Sequence, residues 1–142
     1  QDHLLDLWAD AYRRLSIRPL TTHGLYATDE HWSDGVRAEP EKALLGGIAA
    51  AAALNNQVRA TDGIVYSPTL GTAVTLLHLT PTPTPFHVEV RERFWGAGLP
   101  SSQQGLVPSV LIYGDLLRDG DGRSLDIATD LRRTDAHLRT LG

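Results

Sequence analysis

The feature that most constrains the fold is a run of small and apolar residues, LLGGIAAAAAL, at positions 44–54. Alanine is the strongest helix former, so this run predicts a helix, with Pro40 near its start and Gly63 closing its end. The residues do not determine where this helix begins, because Gly46 and Gly47 would each cost about 1 kcal/mol relative to alanine in a helix interior. The small alanine side chains let another element approach the backbone closely. We therefore expect this helix to be buried on most sides.

A second helix is predicted at the start of the chain, in DHLLDLWADAYRRL at residues 2–15. Apolar residues recur there at helical spacing and the charged residues fall on the opposite face. Asp2 can cap the start of this helix, and Pro19 ends it. The expected apolar face consists of Leu4, Trp8, Ala11, Tyr12 and Leu15, and the polar face of Asp6, Asp10, Arg13 and Arg14.

From residue 63 onward the apolar pattern changes to a period of two, which is typical of β-strands. The clearest example is FHVEVRERFW at 86–95, where Phe86, Val88, Val90 and Phe94 share one face while His87, Glu89, Arg91, Arg93 and Trp95 share the other. The connector TPTPTP at 80–85 cannot pair as a central strand. The remaining predicted strands are GLYAT at 24–28, GIVYS at 63–67, GTAVTLLHLT at 71–80, SVLIYGDLLR at 109–118 and SLDIATDLRR at 124–133.

The stretch DGDG at 119–122 has the composition of a calcium-binding loop. An EF-hand loop requires oxygen ligands at positions one, three, five and twelve, with glycine at position six. Placing Gly120 at position six puts Leu117 at position three, and placing Gly122 there puts Ala128 at position twelve. Each register therefore lacks a ligand. We predict no metal site, and we interpret DGDG as the turn of a β-hairpin.

The length of 142 residues predicts one domain, residues 1–142, because a chain of this length buries enough surface to fold alone. The formal net charge is −4 and the arginines are scattered, whereas a nucleic-acid surface needs concentrated positive charge. We therefore expect no nucleic-acid partner. The absence of cysteine and of a recognisable signal peptide favours a cytoplasmic protein, and the longest apolar run is too short to cross a membrane.

Three of these segments together resemble the hot-dog superfamily of acyl-thioester proteins. LLGGIAAAAAL resembles the Gly-Gly entry to the central helix of that fold, and LHLTPTPTPFHVEVRERFWG resembles its second and third strands. VLIYGDLLRDGDGRSLDIATDLRR is similar to its final hairpin. The resemblance implies an α+β fold in which a curved antiparallel sheet wraps around the central Gly/Ala-rich helix. In this layout residues 1–20 form the N-terminal helix, 21–134 the core and 135–142 a tail.

The function implied by the resemblance is binding or hydrolysis of an acyl thioester such as an acyl-CoA, by a homodimer without a cofactor. The backbone N–H groups of Gly46 and Gly47 would hold the thioester carbonyl, and Trp32 would form a wall of the pocket. Asn55 stands about where the family has a catalytic Asp or Glu, and His78 is the candidate general base. Whether the chain is an enzyme, as a thioesterase-like hydrolase, remains open from the residues.

Two alternatives stay open beside this interpretation. The first is a non-catalytic α+β protein that binds a small apolar ligand or packs into an assembly, because an amide such as that of Asn55 cannot act as a base at neutral pH. The second is a cone-shaped fold of the nuclear-transport-factor type, with His78 and Asp126 as acid–base candidates. Neither alternative involves a membrane or a nucleic acid.

Overall fold

A computed structural model describes residues 2–14, 20, 24–55, 62–95 and 103–141, without the side chains of residues 2, 3, 13 and 141. Within these ranges the chain is an α+β protein of seven helices and four strands. The helices are α1 (Asp2–Arg13), α2 (Trp32–Ala38), α3 (Gly47–Leu54), α4 (Leu70–Leu77), α5 (Ser109–Asp119), α6 (Gly122–Thr134) and α7 (Ala136–Leu141). The strands are β1 (Tyr26–Ala27), β2 (Leu44–Gly46), β3 (Gly63–Ser67) and β4 (Phe86–Glu92).

The four strands form one mixed sheet in the order β1-β4-β3-β2. The two outer pairs are antiparallel, whereas the central strands β3 and β4 run parallel, with Val65 opposite Val90. A parallel pair requires a crossover connection, and α4 lies in the segment that joins β3 to β4. All five residues of β3 are buried, as expected for a central strand covered on both faces.

Helix α5 is the most deeply buried helix of the described part. Its first eight residues, Ser109 to Leu116, are all buried, and it packs against α1, α3, α6, α7 and β2. A helix surrounded in this way needs apolar residues on every side, and it therefore lacks the one-sided pattern that marks a surface helix. This explains why its sequence is ambiguous between a helix and a buried strand.

Several predictions from the sequence are confirmed. Helix α1 and strands β3 and β4 form where periodicity placed them, and GLYAT contains the short strand β1. The buried face of α1 is rotated, however, because Leu5, Ala9 and Tyr12 are buried whereas Leu4 is 57 % exposed. The buried helix within 44–54 also exists, although the run is divided between β2 and α3.

Three predicted strands are wrong, because each of these segments is a helix. Residues 71–80 fall largely in α4, whose start is capped by the Thr69 hydroxyl, which accepts the N–H of Thr72 at 3.1 Å. Residues 109–118 and 124–133 fall in α5 and α6.

The prediction that DGDG forms the turn of a β-hairpin is also wrong, since this stretch links α5 to α6. Gly120 ends α5 in the left-handed conformation (φ 70°), and the Asp121 carboxylate caps α6 by accepting the Ser124 N–H at 2.8 Å. The curved antiparallel sheet of a hot-dog layout is thus not confirmed among the described residues, since the expected final hairpin is helical and the sheet is mixed.

None of the helices in the described ranges has the length and apolar character needed to cross a membrane.

Candidate functional site

The buried carboxylate of Asp115, on α5, organises a polar network in the interior. Its oxygens accept hydrogen bonds from the hydroxyls of Tyr12, on α1, at 2.6 Å and of Tyr66, on β3, at 2.7 Å. Arg91, on β4, donates from Nη1 to Asp115 Oδ1 at 3.1 Å and to the Tyr66 hydroxyl at 3.1 Å, and its Nε pairs with Glu89. The network of Tyr12, Tyr66, Arg91 and Asp115 therefore links two helices to the two central strands.

Burial dominates the electrostatics of this network. The Asp115 side chain is fully buried, and this raises the pKa of its carboxyl even though Tyr12, Arg91 and Tyr66 all interact favourably with the charged form. Burial and the neighbouring Asp115 charge also raise the pKa values of the Tyr12 and Tyr66 hydroxyls, so both tyrosines stay protonated and act as donors. The Arg91 guanidinium hydrogen-bonds to the Asp115 carboxylate and supplies a positive charge beside it.

Two glycines make room for the rings of this network. A Cβ on Gly114, on α5, would lie 2.5 Å from Cδ2 of Tyr12, and a Cβ on Gly46, on β2, would lie 2.7 Å from Cε1 of Tyr66. Such approaches are shorter than any ordinary carbon–carbon contact. Glycine is therefore required at both positions for the tyrosine hydroxyls to reach Asp115.

A group of five aromatic rings, which we call the aromatic cluster, lies beside the network and reaches the surface. It consists of Trp8, Tyr12, Tyr66, Phe94 and Trp95. Trp8 stacks on Tyr12 with ring centroids 5.0 Å apart, and Phe94 contacts Tyr12, Tyr66 and Trp95 at 5.3–6.4 Å. Phe94 is nevertheless 47 % exposed, so the cluster presents an apolar ring to solvent on a rigid support.

Two arginines lie over rings of the aromatic cluster. The Arg93 guanidinium is 5.5 Å from the centre of the Trp95 ring, and that of Arg118 is 5.6 Å from the centre of the Tyr12 ring. Arg118 also donates to the Tyr12 carbonyl at 3.0 Å, which satisfies a carbonyl in the last turn of α1. The exposed side of the cluster is thus both aromatic and cationic.

The predicted site residues are distributed over several elements. Gly46 lies in β2 beside Tyr66, at the polar network, while the adjacent Gly47 begins α3 with a positive φ of 57° against Ile64. Trp32, on α2, is 4 % exposed and packs next to Gly63, so it belongs to the core.

The two residues proposed as catalytic lie at helix ends. Asn55 ends α3, with its backbone N–H bonded to the Ala51 carbonyl at 2.9 Å, and it lines a cleft that also contains Asp135 and His137. His78 ends α4 in the left-handed conformation (φ 52°) and is exposed.

The sequence carried little signal for the polar network. Tyr12 was placed correctly on the buried face of α1, but Arg91 was assigned to the solvent face of its strand and Asp115 to a β-hairpin. In the structure Arg91 is 9 % exposed and Asp115 is 1 % exposed. The residues are 24 to 103 positions apart, and no local pattern reports a contact over such separations.

The fold and site describe an α+β domain in which a polar network fastens helices to a mixed sheet beneath an exposed aromatic–arginine surface. A family model described as transcriptional regulator, AbiEi antitoxin, type IV toxin–antitoxin system matches residues 1–137. The chain therefore belongs to this family of antitoxin regulators. No curated protein and no solved structure matches the chain.

Family membership corrects the predicted function. The hot-dog assignment is wrong, and with it the acyl-thioester substrate and the thioesterase-like hydrolase activity. The alternatives of a small-ligand or assembly protein and of a nuclear-transport-factor-like protein do not fit this family either. The predicted roles of Asn55, His78, Gly46, Gly47 and Trp32 were assigned for thioester chemistry, and as site residues they stay predictions.

The prediction of no nucleic-acid partner is also wrong, because a transcriptional regulator acts on DNA. It relied on the net charge of the whole chain, which averages over surfaces of different character. Residues 29–42 alone contain five acidic and two basic residues: Asp29, Glu30, Asp34, Glu39 and Glu41 against Arg37 and Lys42. Most of the excess negative charge is thus concentrated around α2 and says little about the other faces of the molecule.

Proposed function

We propose that this chain represses transcription by binding DNA, as the antitoxin of a type IV toxin–antitoxin system. The observation that carries the proposal is the family match, which extends over residues 1–137 of the 142 in the chain. It therefore includes α1, the sheet and the helices α5 and α6 that surround the polar network.

The charge distribution supports a DNA-binding role for one side of the molecule. A DNA duplex repels a surface rich in carboxylates and attracts exposed guanidinium groups. The α2 region, with its excess of acidic residues, is therefore unsuited to DNA, whereas the exposed Arg93 at the aromatic cluster suits it. We also propose a cytoplasmic location, because the regulator must reach the DNA that it controls.

DNA binding is tested with the purified chain and a fluorescent duplex that carries the promoter of its own gene. Anisotropy titrations should give a dissociation constant at least about 10³-fold lower for this duplex than for a scrambled duplex of equal length and composition. The affinity should also fall as salt is raised, because binding releases counterions from the phosphates. Equal affinity for both duplexes, or no binding to either, would reject the proposal.

The antitoxin role is tested in cells. The proposal requires a toxin gene next to the gene of this chain; that neighbouring gene is placed under an inducible promoter, and growth is followed with and without the chain. Co-expression should restore growth, and a frameshifted copy of the gene, which yields no protein, is the matched control. Growth arrest that persists with a well-expressed chain would exclude the antitoxin role while leaving DNA binding to be judged on its own data.

A further inference from the structure

We propose that the DNA docks on the exposed side of the aromatic cluster, with Arg93 contacting a phosphate and Phe94 packing against the sugar–base edge of a groove. This inference rests on the proposed DNA-binding function and names the surface that performs it. The surface comprises Arg93, Phe94, Trp95 and Arg118, at the end of β4 and near the end of α5.

The first argument is the state of the Arg93 guanidinium. Arg93 is exposed and makes no ion pair with any described residue, while its guanidinium lies over the Trp95 ring. Other surface arginines differ: Arg14 pairs with Asp10 at 3.0 Å, and Arg133 pairs with Asp130 at 2.6 Å. A guanidinium that is not neutralised and is oriented by a ring offers its planar set of donors to a phosphate.

The second argument is the exposed ring of Phe94. An aromatic side chain that is 47 % exposed loses the stabilisation that full burial would give. Contacts with Tyr12, Tyr66 and Trp95 hold this ring in place from below, so little conformational entropy is lost when a ligand covers it. Apolar wedges beside arginines are a recurrent means of contact in the minor groove of DNA.

The third argument is the rigidity of the support. Tyr12 and Tyr66, which lie beneath Phe94, donate to the same buried carboxylate of Asp115 from two different elements. Arg118 adds a second guanidinium, held by the Tyr12 carbonyl at 3.0 Å. The two cations and the ring therefore occupy defined positions before binding, which suits phosphate contacts that set the register of a protein on a duplex.

A protein partner is the competing occupant, because Trp, Tyr, Phe and Arg are also enriched at the centres of protein interfaces. Charge favours DNA, since burying the Arg93 guanidinium in a protein interface requires a carboxylate from the partner, whereas every phosphate of a duplex supplies a counter-charge.

The proposal is tested with Arg93→Ala, Phe94→Ala and the control Arg133→Ala, titrated into the promoter duplex over a range of salt concentrations. Arg93→Ala should weaken binding about ten-fold and reduce the slope of log K against log salt by about one. Phe94→Ala should weaken binding with the slope unchanged. Arg133→Ala removes an exposed but ion-paired arginine and should bind like the wild type.

Several outcomes separate the possibilities. If the wild type binds the promoter while Arg93→Ala and Phe94→Ala bind equally well, this surface is not the DNA contact and the inference is overturned. A changed sedimentation coefficient of these variants with unchanged DNA affinity would identify a protein interface instead and would also overturn it. Failure of the wild type to bind would reject the proposed function itself. Circular dichroism of each variant establishes that it is folded, and Arg93→Lys provides a second variant that retains the charge.

Discussion

At the scale of single residues, Asp115 and Arg91 determine how much the polar network contributes to stability. Both side chains are removed from water, and each provides the opposite charge that makes burial of the other tolerable. Loss of Asp115 alone leaves Nη1 of Arg91 and two tyrosine hydroxyls without their acceptor, whereas loss of both charged residues leaves only the two hydroxyls without it. These two cases have very different consequences for the free energy of unfolding.

We predict that Asp115→Ala lowers the free energy of unfolding by about 3–5 kcal/mol, because the Tyr12 and Tyr66 hydroxyls and Nη1 of Arg91 all lose their buried acceptor. Urea denaturation followed by circular dichroism measures this change. The control Asp126→Ala removes an exposed carboxylate from α6 and should leave the midpoint close to that of the wild type. The double variant Arg91→Met with Asp115→Leu should recover the part of the loss that is due to the buried guanidinium, while the Tyr12 and Tyr66 hydroxyls still lack their acceptor. A single-variant loss no larger than that of the control would contradict the role given to the pair.

Two glycines allow the same substitution to have opposite effects. Gly47 has a positive φ of 57°, and a Cβ there would lie 2.9 Å from Cδ1 of Ile64. Gly71, in the first turn of α4, has no heavy atom within 4 Å of the position of a Cβ. The first position requires glycine for backbone conformation and space, whereas the second does not.

We therefore predict that Gly47→Ala destabilises the protein by at least about 1–2 kcal/mol, because alanine is strained in the left-handed conformation. Gly71→Ala should stabilise it by roughly 0.5 kcal/mol, since alanine loses less backbone entropy in a helix. Thermal unfolding of both variants measures the difference. Equal shifts in the same direction would show that the conformation at Gly47 is not a constraint.

At the scale of elements, the α5–α6 connection shows how capping decides between a hairpin and a helix pair. SLDIATDLRR alternates like a strand, but Ser124, Ala128 and Leu131 are its buried residues, and their spacing of four and three is helical. Asp121 before this segment is an N-cap residue, and Gly120 is a C-cap residue for α5. The two signals together describe a helix end followed by a helix start.

The Asp121 cap makes the stability of α6 depend on pH. Hydrogen bonds from the Ser124 backbone N–H and hydroxyl lower the pKa of the Asp121 carboxyl below its ordinary value. Such a group stabilises the folded state above its ordinary pKa, and this contribution is lost as the pH falls through the lowered value. Asparagine caps helices about as well but does not titrate.

We predict that Asp121→Asn has a melting temperature close to or slightly below that of the wild type at neutral pH. On acidification to about pH 2.5 the wild type should lose more than the variant, so that the difference shrinks or reverses. Melting curves recorded at a series of pH values test this. Parallel curves for the two proteins over the whole range would show that the cap carboxylate does not contribute through its charge.

At the scale of the whole molecule, the polar network joins elements that lie far apart along the chain. Tyr12 in α1 and Asp115 in α5 are 103 positions apart, and they meet over the central strands β3 and β4. Helix α1 therefore depends on the sheet and on α5 for its place. We propose on this basis that the chain unfolds as one domain.

The expected result is a single cooperative unfolding transition. The three tryptophans lie on α1, on α2 and three residues beyond the end of β4, so their fluorescence reports on different parts of the molecule. The urea midpoints from tryptophan fluorescence and from far-ultraviolet circular dichroism should coincide. Separate midpoints, with fluorescence changing before helix content, would indicate that α1 or α2 detaches from an independently stable remainder.

Local patterns in the sequence determined α1, β3 and β4, because the alternation of apolar and polar residues depends only on neighbours along the chain. They did not identify α5, whose first eight residues are all buried, and the helical spacing of Leu70, Ala73 and Leu77 in α4 was overlooked. Family membership also lies outside such patterns, since no short motif in this chain carries it.

Tertiary structure alone decided which polar groups are internal. The charges of Arg91 and Asp115 look like surface charges in the sequence, and they are buried because each finds hydrogen-bonding partners from elements distant along the chain. The exposure of Phe94 above them has the same origin, since the rings beneath it come from α1, β3 and the end of β4. Burial and exposure are set by contacts between elements, and the free energy of those contacts exists only once the chain has folded.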